Sequence, residues 1–157
     1  MLQRKQTVFL LLAVLCGALT FAFPVASYVR GEQVFLFRTT GLTLADGSAV
    51  PDGVPRVPFA VVIGLCMAVF TAAIFFFKKR QRQMRLVRSA YLVTLTVVAF
   101  LFIVNNSIVA YLKQGGDVTT RFGASAFLPT GMLVFAFLAE RYIRKDEALI
   151  KSMDRLR

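Results

Sequence analysis

Four apolar runs separated by polar connections make up most of this chain. They extend over Thr7 to Phe23, Val57 to Phe77, Ala90 to Leu112 and Phe122 to Ile143. Each approaches the roughly 20 apolar residues with which an α-helix crosses the hydrocarbon core of a bilayer. The first three contain no Asp, Glu, Lys or Arg, and the only acid of the fourth, Glu140, stands at its end beside Arg141. The pattern predicts an all-α membrane protein: one integral domain folded as a four-transmembrane-helix bundle, with spans at about 7–23, 57–77, 90–112 and 122–143. A basic start before an apolar core also outlines a signal peptide. The first run is longer than a usual signal core and Pro24 closes it, so a retained first span is expected.

The connections differ in kind. In the loop 24–56, Gln33 to Arg38 and Leu42 to Leu44 are short β-prone pieces with Thr39-Thr40-Gly41 between them, which predicts a small hairpin. ADGSAVPDGVPRVP follows as a turn-rich stretch. The stretch 78–88 reads as a basic loop, and KQGGDVTTR as a short Gly-rich turn. Pro129 and Gly131 interrupt the fourth run and predict a kink, with Thr130 placed to help the freed carbonyl. The tail 144–157 consists of strong helix formers. It has an apolar stripe of Leu149, Met153 and Leu156 and a favourable Glu147–Lys151 spacing, and it is expected to be a cytoplasmic C-terminal helix, either continuing the fourth span or lying at the interface.

Charge orients the bundle. Lys78, Lys79, Arg80, Arg82, Arg85 and Arg88 crowd one connection that holds no acid. With Arg4, Lys5 and the six basic residues from Arg141 onward, one side carries fourteen of the nineteen Lys and Arg; the other has Arg30, Arg38, Arg56, Lys113 and Arg121. The positive-inside rule then predicts cytoplasmic termini in a bacterial inner membrane, with 24–56 outside. A net charge of +11 would also suit a nucleic-acid binder. Here the charges flank apolar runs, and anionic headgroups account for them more simply. A hydrophobic content of 57% and a mean hydropathy of +0.68 exceed those of an ordinary soluble domain.

Candidate chemistry is sparse. The chain has no histidine, and Cys16 and Cys66 are fifty residues apart inside apolar runs, so neither a metal site nor a CxxC redox motif is expected. Asp46, Asp52 and Asp117 read as turn residues beside glycines. Small residues four apart, Ala13 with Gly17 and Gly64 with Ala68 and Ala72, are candidate helix-packing seams. Asn105, Asn106 and Ser107 form a candidate polar site at the outer end of the third span, or an interhelical hydrogen bond. Glu140 and Arg144 are spaced for a weak surface ion pair.

Both ends of the chain resemble a domain-of-unknown-function family of small four-helix membrane proteins from Bacteroidetes. At the start, Met1, Leu2, Gln3 and Arg4, then Gln6 and Thr7, fit its pattern; at the end, Lys145, Asp146 and Glu147 and the closing Asp154 to Arg157 do so. Lys5 and Phe9 depart from it, the family having an apolar residue and a tyrosine there. The resemblance implies a location and an architecture and no catalytic residue.

The sequence thus leads to a non-enzymatic accessory, assembly or lipid-organising protein without a cofactor. Its expected partners are anionic headgroups at the cytoplasmic face, and a membrane protein or a second copy, but no nucleic acid. A small-solute or lipid carrier using the outer loop and Asn105/Asn106 is the alternative. A membrane thiol or lipid-modifying enzyme ranks third.

Overall fold

A computed structural model of the chain describes residues 5–48, 50, 58–76 and 79–154, with Arg80 and 150–154 described by backbone alone. Helix α1 is Lys5–Ala22, α2 Phe59–Phe75, α3 Arg80–Lys113 and α4 Leu128–Asp154. Strands β1 Ala26–Arg30, β2 Gln33–Arg38 and β3 Gly41–Leu44 lie between α1 and α2, and β4 Thr119–Phe122 lies between α3 and α4.

Among the described residues three helices are long and apolar enough to cross a membrane: α1, α3 and α4. Helix α2 is apolar along its whole length but has 17 residues, about 25 Å of rise. Each helix packs against two others, α1 and α3 both lying between α2 and α4, so the four close into a ring. Their outward faces are apolar. Leu11, Leu15, Val61, Leu65, Leu92, Phe102, Val134 and Phe137 are all exposed.

The sheet identifies one end of this ring. Its order is β3-β2-β1-β4 and all its pairings are antiparallel. Strand β1 follows the end of α1 and pairs with β4, which follows the end of α3. At the same place Ala60 N–H, in the first turn of α2, donates to the Thr39 carbonyl. The ends of α1 and α3 and the start of α2 therefore meet under one sheet. Ala26 and Tyr28 of β1 and Phe35 and Phe37 of β2 alternate inward, at the strand period of two, and are buried against Phe59, Ile63, Val104 and Ile108. Phe37 meets Phe59 edge-on, with centroids 6.2 Å apart. A second core at the opposite end joins Leu10, Ala13, Phe70, Ala73, Val87, Ala139 and Ile143.

The predicted hairpin of Gln33 to Arg38 with Leu42 to Leu44 is present, as β2 and β3. Two strands were not anticipated. In β1, ASYVR, the alternation is short, and Gly31 at φ 58° makes the tight turn into β2. In β4, TTRF, the end of the expected turn and the first residue of the expected fourth span become a strand because β1 offers them a free edge.

Two other expectations are corrected. The basic stretch is not a loop from Arg80 onward but the first turns of α3, which runs for 34 residues, about 51 Å. Its buried positions Gln83, Val87, Ala90, Thr94 and Val97 recur every three or four residues straight through the basic segment, so one face stays in the core. Pro129 does not kink the fourth helix. A 3₁₀ turn at Ala124–Ala126 precedes α4, and Pro129 is its second residue, where its missing N–H has no carbonyl to serve. Thr130 is exposed there. The turn-rich stretch at Ala49 and 51–57 lies outside the described residues, as do the side chains of Lys151, Met153 and Leu156.

Candidate functional site

The end of the bundle away from the sheet holds the densest polar chemistry. Helix α3 brings Arg82, Arg85 and Arg88 there, and Lys79 precedes it; all are exposed, because the inner face of the helix is occupied by Gln83, Val87 and Ala90. Lys78 and the side chain of Arg80 lie outside the described residues.

Glu140 stands across from this face on α4. It is buried, with its side chain 7% exposed, and two arginines cover it. Arg88 donates to its Oε1 through Nε at 2.9 Å and Nη2 at 2.8 Å. Arg144, one turn further along α4, donates to the same oxygen through Nε at 3.1 Å and Nη2 at 2.6 Å. The expected weak surface pair of Glu140 and Arg144 is therefore a buried acid with two arginines, one of them from another helix. Sequence spacing could reveal the partner four residues away, but not one 52 positions away on α3. Below this cluster Gln81 Nε2 donates to Glu147 at 3.5 Å. Gln6 and Gln83 are also buried at this end, and among the described residues their amide atoms have no hydrogen-bond partner.

At the sheet end, the three candidate polar residues separate. Asn105 is buried and its Oδ1 accepts from the Tyr28 hydroxyl at 2.7 Å. Asn106 faces outward, and Ser107 donates to the Ile103 carbonyl of its own helix at 3.1 Å. They do not form one site. The bond from Asn105 goes to a strand rather than to another helix. Burial holds the Tyr28 phenol well above its ordinary range, because a phenolate there would lose its hydration.

The small-residue seams fare differently. Ala13 and Gly17 lie in the interior of the bundle, and Gly17 is so close to Met67 that a Cβ there would come within 2.7 Å of Met67 Cγ. On α2 the seam is on the wrong face. Ala68 is exposed, Ala72 is half-buried, and nothing lies within 4 Å of a Cβ built on Gly64. The packed face of α2 is instead Phe59, Ile63, Cys66, Phe70 and Ala73. Four-residue spacing is met by several faces of an apolar helix, and bulky residues fill this interface. Cys16 and Cys66 are both free thiols. Cys66 lines a small void with Ile63, Thr94, Val97, Pro129 and Met132 that is too narrow to admit a water. Among the described residues no group of three His, Cys, Asp or Glu is arranged to hold a metal.

A family model described as a domain of unknown function, DUF4293, matches residues 2–156. The chain belongs to this family. The match spans the helices and the sheet alike, whereas the resemblance read from the sequence was confined to the termini. The family description names no activity and so assigns no role to Glu140, Arg88 or Asn105. No curated protein matches the chain.

Proposed function

We propose that this is a non-enzymatic integral protein of a bacterial inner membrane. It crosses the bilayer four times with both termini in the cytoplasm, and it organises anionic lipid, or seats a membrane partner or a second copy, at its cytoplasmic face. The observation that carries this reading is the segregation of the surface: an exposed apolar belt separates a basic end from a sheet-capped end. Such a belt matches hydrocarbon, and Lys and Arg crowded beside it match an anionic leaflet. At 17 residues α2 is at the short end of the spanning range, roughly 17–25. A carrier built on Asn105 and Asn106 has less support, since Asn105 is engaged by Tyr28 and Asn106 faces away from it.

Reporter fusions test the orientation. A C-terminal fusion should report cytoplasm, and fusions near Gly47 and Gly116 the outer side; a C-terminus on the outer side would overturn the topology. For the role, the protein extracted with its surrounding lipid by a polymer should carry more anionic lipid than the bulk membrane, or a recurrent partner. Recovery alone, in lipid of bulk composition, would count against it.

A further inference from the structure

From the Arg88–Glu140–Arg144 cluster we infer that the seam between α3 and α4 is a specific site for the phosphate of an anionic lipid headgroup. The inference rests on the lipid-organising reading and narrows it from a diffuse basic surface to two guanidiniums.

Glu140 serves as a brace beneath the site. Its side chain is 7% exposed while those of Arg88 and Arg144 are 50% and 58% exposed, so the acid is sealed below and the guanidiniums face out. Each arginine spends the edge bearing Nε and Nη2 on Glu140 Oε1. Among the described residues nothing accepts from the Nη1 side of either fork, which leaves it for another acceptor. Two cations on one carboxylate leave a net positive charge. Because both side chains are already held, an oxyanion meets them without the ordering cost of two free arginines. Paired planar donors are the arrangement that favours phosphate.

Placement selects a lipid over a free ion. Arg88 continues along α3 into Leu92 and Leu95, exposed on the same face at intervals of four and three. On α4, Val134 and Phe137 are exposed ahead of Arg144 at helical spacing. Tyr91 packs on Phe137 at 6.3 Å, and Tyr142 on Phe9 at 5.3 Å with Lys5 5.9 Å from its ring. Tyrosines with one apolar and one wet side gather at headgroup level in membrane proteins. An anionic headgroup on the arginines would thus have apolar surface running away from it for its acyl chains.

The test uses the full chain in non-ionic detergent, titrated with dioleoylphosphatidylglycerol and read by native mass spectrometry as lipid retained per protein. Dioleoylphosphatidylcholine is the neutral control and inorganic phosphate the competitor. The parent should retain phosphatidylglycerol over phosphatidylcholine, and phosphate at equal concentration should not displace it. Arg144→Lys keeps the charge but loses the fork, and should raise half-saturation roughly tenfold. Arg85→Gln loses a charge elsewhere on the basic surface and should change it less than about twofold, whereas a diffuse surface would lose about fivefold. Arg88→Lys should repeat the Arg144→Lys result and carries the test if that variant does not fold. Unchanged retention in the lysine variants, or an equal loss in Arg85→Gln, would overturn the site while leaving the lipid-organising reading in place. Displacement by inorganic phosphate would overturn the lipid assignment. A parent indifferent to headgroup charge would overturn both.

Discussion

Gly123 joins β4 to the 3₁₀ turn, and its replacement by alanine should be among the most damaging single-methyl additions in this protein. Its φ of −87° and ψ of 172° are open to any residue, so backbone freedom is not the reason glycine stands there. The reason is proximity. Its N–H donates to the Val25 carbonyl at 2.8 Å, and a Cβ built on it would be 2.2 Å from the Pro24 oxygen and 3.1 Å from the Pro24 carbonyl carbon. An ordinary carbon–oxygen contact needs about 3.3 Å, so the two chains must part by about 1 Å. Neither yields easily. On one side β4 is paired with β1 from Ala26 to Val29; on the other Ser125 Oγ donates to the Thr20 carbonyl at 2.9 Å, tying the turn to α1. Overpacking against yielding side chains costs about 1–3 kcal/mol, and a backbone obstacle belongs at the upper end. At about 2–4 °C per kcal/mol, Gly123→Ala should melt about 6–12 °C below the parent. Cys66 is free and buried and Cys16 free and half-buried, so the rise in labelling of Cys66 by a thiol-reactive dye in detergent reports unfolding. Gly64→Ala is the control: nothing lies within 4 Å of its Cβ, and alanine is the better helix former by about 0.5–1 kcal/mol. If Gly123→Ala melts with the parent, or Gly64→Ala falls as far, the argument from close approach is wrong.

Three further outcomes are expected in the same assay. Tyr28→Phe leaves the buried Asn105 Oδ1 without its donor and should cost about 1–3 kcal/mol, while Asn106→Ala should stay within about 0.5 kcal/mol of the parent. The raised Tyr28 pKa means that the folded chain holds this proton after the unfolded chain has released it. Stability from this group is full below the ordinary phenol value of about 10 and falls as pH rises above it; a melting temperature that is flat or rises there in the parent relative to Tyr28→Phe would refute the assignment. Ala13→Ile should destabilise by about 1–3 kcal/mol because Ala13 is sealed in the second core, whereas Ala68→Ile, on an exposed position of α2, should melt near the parent.

What the sequence determined alone was the set of elements governed by composition and local pattern. Apolar runs of helical length announce α1, α2, α3 and α4, and the short β-prone run QVFLFR announces β2, because burial of apolar surface acts on each segment wherever it packs. The basic stretch has the composition of a loop because its charges interrupt the apolar run, yet the inner-face period from Gln83 to Val97 continues through them as helix. Tertiary structure alone decided which faces meet. On a helix as uniformly apolar as α2 no stripe distinguishes inside from outside, so Ala68, which small-residue spacing put in a seam, faces out while Phe70 is buried. The pairing of β1 with β4, the bond from Tyr28 to Asn105 and the convergence of Arg88 on Glu140 join residues from 52 to more than 90 positions apart. Such contacts depend on how the ring of helices closes, and no local pattern of side chains encodes that closure.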